Sequence, residues 1–321
     1  MGSAGLLRVH EMTKKPHRIA IVGVGKIARD QHVPSIEGDP DFVLGATVSR
    51  HGTIDGIDAY HDLSSLFSAR HDIDCVALCM PPQARFAYAA EALAARRHVL
   101  LEKPPGATLS EVHELERLAS EAGHTLFATW HSRFAAAVPQ ARAWLAGKRI
   151  RRVAVTWKED VRRWHPGQEW IWEAGGLGVF DPGINALSVL TAIYPRAVHL
   201  SSATLEFPEG RDTPIAASLE FHDPQGAEVT AIFDWRQEGP QTWDIAIETD
   251  SGSMTLSRGG AALAIDGRNV VQEPNREYAG IYRRFAELIA EGRSDVDLSP
   301  MVHVADAFTL GRRVTVEPFA F

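Results

Sequence analysis

Residues 17–28, HRIAIVGVGKIA, decide the fold. A short β-rich run leads directly into Gly23, Gly25 and Ala28, which have the spacing G-x-G-x-x-A. The first glycine permits a tight turn, the second lets the backbone approach a pyrophosphate, and the small third residue lets a helix pack on the strand. Free N–H groups at the start of such a helix attract phosphate. The segment therefore predicts a dinucleotide-binding βα unit, with a plain βα turn as the alternative.

The second β-rich run, FVLGATV at 42–48, ends in Ser49, Arg50 and His51. In NAD-binding folds an acidic residue near this point takes the adenosine ribose hydroxyl, and no acid stands here. A serine hydroxyl and a planar guanidinium suit the oxygens of a 2′-phosphate. We expect NADP to be preferred and NAD to be accepted. The alternative is that Arg50 is solvated or stacks on adenine.

The run VLLEKPPG at 99–106 has the character of a buried strand that ends at a lysine. Its three apolar residues suit a parallel strand covered on both faces. Pro104 and Pro105 cannot donate to a sheet, so the chain must leave the sheet at Lys103. Ligands bind at this carboxyl edge of open α/β sheets, which makes Lys103 a candidate for chemistry. A surface lysine in a proline turn is the alternative.

Strand and helix patterns alternate through the first part of the chain, which predicts a doubly wound parallel sheet. A capping box from Thr108 to Glu111 starts one helix, and Gly123 stops it. The other predicted elements are helices near 64–69 and 83–95 and strands at 74–80 and 125–128.

After a linking helix at 135–145 the chain changes to longer alternating runs, which predict an antiparallel sheet. The predicted strands are 151–158, 198–207, 215–222, 228–235, 243–249 and 252–257, and the predicted helices lie near 185–193, 276–291 and 300–313. A sheet with one open face suggests a homodimer formed through it. The expected division is a tail at 1–16, a dinucleotide-binding domain at 17–134, and a substrate-binding and oligomerisation domain at 135–321.

The composition limits the choice of partners. The chain has 321 residues, and its net charge of −8 argues against nucleic acid or an anionic membrane as the main partner. No run approaches the ~20 apolar residues of a membrane span, and no secretory signal is visible. Cys75 and Cys79 lie four residues apart in one apolar run, a spacing that suits neither a disulfide nor a metal site. We expect a cytoplasmic protein that binds a small molecule and no metal.

Two polar clusters lie in the second half of the chain. Residues 158–170 alternate tryptophans with hydrogen-bonding groups, an arrangement that suits a sugar; a surface loop held by tryptophans is the alternative. The second cluster, GGLGVFDPGIN at 175–185, places Asp181 before a proline and Asn185 about one helical turn later. The alternative is that Asp181 is an ordinary helix N-cap.

Three motifs together resemble the glucose-fructose oxidoreductase and inositol dehydrogenase (Gfo/Idh/MocA) family over nearly the whole chain from Arg18. They are G-x-G-x-x-A, the E-K-P of LLEKPPG, and GG-x-G-x-x-D-x-G. The resemblance implies an N-terminal Rossmann domain, a C-terminal α/β domain with an open, mainly antiparallel sheet, a nicotinamide cofactor between them, and usually a sugar or polyol substrate. SRHG, LEKPPGATL and the long segment around 162–185 are similar to the bacterial L-arabinose and D-galactose 1-dehydrogenases of that family.

The resemblance also implies site residues. Lys103 and Asp181 match the catalytic pair, and the sugar contacts are expected from Glu159, His165, Asn185, Trp164 and Trp235. The cofactor contacts are expected from Gly23, Gly25, Lys26, Ile27, Ser49, Arg50, His51, Pro81, Glu102 and Lys103. Asn185 stands where other family members carry a histidine base, and an asparagine cannot be a general base. We therefore expect Lys103 to be the acid/base that contacts the C1 oxygen, and Asp181 to orient it and share its proton.

The expected function is an aldose 1-dehydrogenase that oxidises D-galactose, L-arabinose or both at C1 to the aldonolactone. One competitor is an enzyme of the same fold that acts on another aldose or on an inositol. The other is a sensor that binds dinucleotide and sugar without turnover. The presence of Lys103 with Asp181 disfavours the sensor, because a pure binder needs no lysine and carboxylate at the cofactor edge.

Overall fold

A parallel sheet of six strands forms the first half of the protein, whose computed structural model describes residues 15–274 and 276–321. The predicted tail lies outside the described residues except for its last two. The strands are β1 His17–Val22, β2 Phe42–Val48, β3 Ala59–Tyr60, β4 Cys75–Leu78, β5 His98–Leu101 and β6 Leu126–Ala128. Their order is β3-β2-β1-β4-β5-β6, and each neighbouring pair is parallel. This order is the doubly wound Rossmann arrangement, and it confirms the predicted fold class.

Helices cover both faces of this sheet. A π-helical segment, Ala28–His32, leads into α1 Val33–Glu37, and the others are α2 Leu63–Ala69, α3 Pro82–Ala94 and α4 Leu109–Ala122. The capping signals are confirmed: Thr108 Oγ1 accepts from the Glu111 N–H at 3.3 Å, and Gly123 ends α4 with φ +66°. Strand β4 is shorter than predicted, because only its four fully buried residues pair within the sheet.

The second sheet has nine strands. They are β7 Ile150–Lys158, β8 His199–Pro208, β9 Ala216–His222, β10 Glu228–Asp234, β11 Thr242–Thr249, β12 Gly252–Ser257, β13 Ala262–Ile265, β14 Arg268–Gln272 and β15 Arg312–Val316. Their order is β14-β13-β12-β11-β7-β10-β9-β8-β15. The pairs β7–β10 and β8–β15 are parallel and the others are antiparallel. The prediction of a mainly antiparallel second sheet is thus confirmed.

Five further α-helices follow in the described residues: α5 Val138–Leu145, α6 Val161–Trp164, α7 Phe180–Ile193, α8 Glu277–Glu291 and α9 Ser299–Leu310. Helix α8 returns to the first sheet, where Tyr282 and Phe285 pack against Phe42 of β2. Helix α7 is buried along most of its length and lies directly on β10. A Cβ at Gly183 would approach Phe233 Cδ2 to 2.7 Å, so only glycine allows this contact. The contact fixes the first turn of α7, which carries Asp181.

Besides the ends of β4, three helix boundaries differ from prediction by three residues or more. Helix α5 begins at Val138 rather than near residue 135. The helix predicted at 300–313 ends at Leu310, because Gly311 breaks it and residues 312–316 pair in parallel with β8. Helix α7 begins at Phe180 rather than near residue 185, so Asp181 lies inside its first turn and is not its N-cap. Strands β3, β13, β14 and β15 were not predicted.

In the described part of the chain, no helix is long and apolar enough to cross a bilayer. Cys75 and Cys79 are free thiols, as expected from their spacing.

Candidate active site

The glycine-rich turn after β1 leaves room for a phosphate. Gly23 has φ +90°, and a Cβ there would lie 2.8 Å from the Met80 main-chain nitrogen, so this position requires glycine. A Cβ at Gly25 would meet nothing within 4 Å, which shows that this face of the turn is open. The predicted contacts Lys26 and Ile27 follow at the exposed start of the helix, where the Lys26 ammonium pairs with the Asp30 carboxylate.

A cleft of about 310 Å³ continues from this turn along the ends of β1, β2 and β4. Its lining includes five of the predicted cofactor contacts, Gly23, Ser49, Arg50, His51 and Pro81. Ser49 Oγ accepts from the Gly52 N–H at 3.2 Å and so shapes the loop after β2. Arg50 is exposed, and within the described residues its guanidinium has no hydrogen bond or ion pair. Its charge is therefore free to meet an anionic ligand.

Lys103 lies at the carboxyl edge of the first sheet, two residues after β5, and the peptide bond that follows it is cis. Its Nζ donates to the Asp181 main-chain oxygen at 3.0 Å and to Asp181 Oδ1 at 3.1 Å. The two side chains are 16% and 14% exposed. The structure thus brings together, across 78 residues of sequence, the two residues predicted to be catalytic.

Glu102 is turned away from this cleft. Its side chain is buried, and Oε1 accepts from His32 Nε2 at 2.9 Å and from the Tyr278 hydroxyl at 2.7 Å. Its Oε2 accepts from the Lys103 N–H at 2.9 Å. Burial alone would raise the pKa of Glu102, but the hydrogen bond and charge of His32 hold it well below the usual range. A cofactor contact by the Glu102 carboxylate is therefore not supported, since internal donors occupy both oxygens.

Asp181 also faces His165, whose Nε2 lies 3.4 Å from Asp181 Oδ2. Burial alone would raise the pKa of Asp181, but the charges of Lys103 and His165 outweigh it and lower this pKa. Burial lowers the pKa of His165 and outweighs the opposite effect of Asp181. At neutral pH the site therefore combines a carboxylate with a neutral imidazole that can accept a proton.

Glu159 follows β7, beside the point where the parallel strand β10 ends, and its N–H donates to the Asp234 main-chain oxygen. The side chain is only 5% exposed, and Oε2 accepts from Trp243 Nε1 at 2.9 Å. Burial raises the pKa of Glu159 to about 7, and the nearby Asp181 charge acts in the same direction. This carboxyl therefore titrates near neutral pH.

The other predicted sugar contacts differ in how far their side chains are exposed to solvent. Trp164 is 40% exposed, and its ring centroid lies 5.4 Å from that of Trp243. Asn185 lies half-buried on α7, one turn after Asp181. Trp235 has no exposed surface and packs behind His165, with ring centroids 5.4 Å apart. The expectation that Trp235 contacts the sugar is corrected: its burial leaves it a supporting role beneath His165.

Two residues that contribute to the site were not predicted from the sequence. Trp243 is the second residue of β11 and lies opposite Trp157, and its N–H bond to Glu159 joins positions 84 residues apart, which no local pattern indicates. Gln83, on α3, donates to the Gly175 main-chain oxygen at 2.9 Å and so links the cofactor cleft to the loop before α7. The repeated glycines at 175–178 were the available signal, since a Cβ at Gly176 would lie 2.6 Å from the Ile171 oxygen.

The arrangement fits a dinucleotide and a small polyhydroxylated ligand. The open glycine turn and the free Arg50 suit phosphate groups, while Lys103, Asp181, His165 and Glu159 gather hydrogen-bonding groups at the adjoining sheet edge. In the described residues, no three side chains of the metal-binding types cluster closely enough to hold a metal ion.

Comparison with known proteins places the chain among oxidoreductases. Residues 17–129 match the oxidoreductase family with an NAD-binding Rossmann fold. Galactose 1-dehydrogenase from Pseudomonas fluorescens is 42% identical over 308 residues, which cover 95% of this chain and 99% of that protein. The crystal structure of D-galactose-1-dehydrogenase from Rhizobium etli is 59% identical, with a TM-score of 0.92 and coverage of 95% and 98% of the two chains.

A more distant structure shares the fold alone. KijD10, a 3-ketoreductase from Actinomadura kijaniata in complex with NADP and TDP-benzene, is 20% identical with a TM-score of 0.81, over 94% of this chain and all of that one. The full-length similarity at 42% identity is decisive for the family. This chain belongs to the Gfo/Idh/MocA family of oxidoreductases.

Proposed function

We propose that the protein is an aldose 1-dehydrogenase that oxidises D-galactose at C1 to the aldonolactone with NAD(P)⁺. The observation that carries the proposal is the 59% identity to the Rhizobium etli D-galactose-1-dehydrogenase across 95% of this chain. The polar group at the cofactor edge supports the same reaction, because oxidation of a hydroxyl requires a group that takes its proton. We also propose L-arabinose as a substrate, since L-arabinopyranose and D-galactopyranose share their configuration from C1 to C4.

For the cofactor, we propose that Gly23, Gly25, Lys26 and Ile27 hold the pyrophosphate. When bound, the cofactor supplies the acceptor for the hydride that leaves C1. The adenosine end is assigned to Ser49, Arg50 and His51, and the nicotinamide end to Pro81, Lys103 and the main chain of Glu102. The exposed and unpaired guanidinium of Arg50 supports a preference for NADP over NAD, because a 2′-phosphate offers it a charged partner.

For the proton, we propose that Lys103 contacts the C1 oxygen and takes the hydroxyl proton. In its neutral form the amine donates its two N–H groups to Asp181, and its lone pair occupies the remaining direction, where it can accept the proton of the C1 hydroxyl. Asp181 holds the lysine in place and shares the proton. His165 is the competing base, because its imidazole is neutral and lies against the same carboxylate.

The remaining polar groups are assigned to the sugar. Glu159, His165 and Asn185 are proposed to bind hydroxyls, and the exposed ring of Trp164 is proposed to cover the apolar C–H face of the pyranose. This leaves Trp235 as a support for His165.

We further propose a homodimer formed through the open face of the second sheet, where Ile232 is 44% exposed near the middle of the sheet. Sedimentation velocity on the full chain tests it, and a monomer at every concentration contradicts it. The cytoplasmic location, the domain boundaries, and the absence of nucleic-acid and membrane partners stay predictions from the composition and the motifs.

The deciding experiment mixes purified protein with NADP⁺ or NAD⁺ and one of D-galactose, L-arabinose, D-glucose or an inositol. The near-ultraviolet absorbance of the reduced nicotinamide reports turnover. We expect turnover with D-galactose and L-arabinose. Turnover of an inositol alone supports the competing substrate class, and binding of sugar and dinucleotide without turnover supports the sensor.

A further inference from the structure

Trp243 and Glu159 form a partly buried contact that the proposed reaction does not yet use. Trp243 Nε1 donates to Glu159 Oε2 at 2.9 Å, and the Glu159 side chain is almost fully enclosed. We propose that Trp243 is a positioning residue: its indole N–H holds the Glu159 carboxyl in place and directs it at a sugar hydroxyl. The inference rests on the proposed function, because the sugar is the ligand that Glu159 would bind.

The indole is held rigidly enough for this role. Trp243 lies directly opposite Trp157 in the β7–β11 register, and its ring packs between the rings of Trp157 and Trp164 at 6.3 and 5.4 Å. An indole N–H can only donate a hydrogen bond. A donor bonds a carboxylate more strongly than a neutral acid, so this contact favours the ionised form of Glu159.

The other charges around Glu159 make this bond decisive. Burial is the largest influence and raises the pKa of Glu159, and the Asp181 carboxylate on α7 raises it as well. The Trp243 hydrogen bond, the neighbouring buried indole of Trp235 and the charge of Lys103, in that order of size, lower it. These influences leave the pKa at about 7, so the loss of one donor changes the charge of Glu159 at neutral pH.

The first test measures the carboxyl directly. Infrared titration of the parent, of Trp243→Phe and of Glu159→Gln identifies the protonated-carboxyl band that disappears in Glu159→Gln. We expect its midpoint near pH 7 in the parent and about one to two pH units higher in Trp243→Phe, the scale of one hydrogen bond to a charged group. Trp144→Phe is the matched control, since it makes the same change in a ring on α5 that contacts Lys148 rather than Glu159, and its midpoint should equal that of the parent.

The second test measures sugar binding. A carboxylate that binds a hydroxyl loses this role as the pH falls through its pKa, so a raised pKa moves the loss of affinity to higher pH. At pH 7 the KM for D-galactose should rise about fivefold or more in Trp243→Phe, while well above both midpoints it should return to the parent value. In the Glu159→Gln background, Trp243→Phe should add no further pH dependence.

Several results overturn the proposal. They are an unchanged midpoint in Trp243→Phe, an equal shift in Trp144→Phe, and a pH dependence of KM that survives in Glu159→Gln. The infrared test needs no turnover, so it decides the role of Trp243 even if the parent oxidises none of the sugars. Absence of turnover with every sugar would contradict the proposed function separately.

Discussion

Replacement of Lys103 by methionine keeps the unbranched stem of the side chain and removes its terminal amino group. In the structure this group donates two hydrogen bonds to Asp181, at 3.0 and 3.1 Å, from a largely enclosed position. If Lys103 takes the C1 hydroxyl proton, the substitution should lower kcat by ~10²-fold or more, the range of a lost general acid/base. That loss corresponds to about 3 kcal/mol of transition-state stabilisation.

The same substitution should lower the free energy of unfolding, and the pKa of Asp181 determines how this effect depends on pH. Lys103 and His165 lower the pKa of Asp181 in the folded state against the effect of burial. A lowered carboxyl pKa stabilises the fold above the unfolded-state pKa, and this contribution is lost as the pH falls through the folded-state pKa. Lys103→Met should therefore be about 1–3 kcal/mol less stable than the parent near neutral pH and approach it in acid.

The assay combines steady-state kinetics with D-galactose and NADP⁺, over a range of pH, with urea unfolding at neutral and acid pH. Lys148→Met is the matched control, because Lys148 contacts only Ser251 and the Trp144 ring on the surface of the described structure, and it should leave both measurements unchanged. Lys103 is not the base if Lys103→Met keeps near-normal kcat while His165→Ala abolishes kcat together with the basic limb of the pH profile. In that case His165 is the base.

Two further predictions concern the cofactor and the sugar. Arg50→Ala should weaken NADP binding by ~1.5–3 kcal/mol and leave NAD nearly unchanged, as a charge-assisted bond to the 2′-phosphate requires; equal losses in titrations with both cofactors would contradict the assignment. His165→Ala should raise the KM for D-galactose at least as much as it lowers kcat, since a binding group acts in the ground state as well; initial rates at varied sugar concentration measure both, and a pure kcat effect would exclude a binding role.

Much of the first sheet could be predicted because its signals are local. Gly23 must be glycine to clear Met80, and Thr108 and Gly123 mark the two ends of α4 through contacts within a few residues. Each signal is a property of a short segment, and the alternation of strands and helices fixes the order in which the segments meet.

Several elements in the second half of the chain could not be predicted from local sequence patterns. Strands β13 and β14 are short and partly exposed, so their residues carry little of the period that marks a half-buried strand. Strand β15 follows α9 after a single glycine and is set by pairing with β8, more than 100 residues earlier. The early start of α7 depends on the contact of Gly183 with Phe233, which belongs to another element.

The candidate site also combines residues that could be predicted from the sequence with residues that could not. Lys103 could be placed at the carboxyl edge of its sheet from the sequence, and the family resemblance indicated Asp181 as its partner. The burial of Trp235 and the bond from Trp243 to Glu159 could not be predicted, because a tryptophan directly after β10 and one in β11, the two strands that flank β7, look alike until packing decides which ring is covered. The burial of the Glu102 carboxylate could not be predicted for a related reason: its partners, His32 and Tyr278, lie 70 and 176 residues away.

The central claim is that this site oxidises D-galactose at C1, and the ratio of kcat/KM for D-galactose to that for D-glucose tests it most directly. The two sugars differ only in the C4 hydroxyl, which in glucose would leave a buried partner unpaired at a cost of ~1–3 kcal/mol. We therefore predict that D-galactose is favoured about 5- to 150-fold, with L-arabinose close to D-galactose. Equal efficiency on D-galactose and D-glucose would contradict the account.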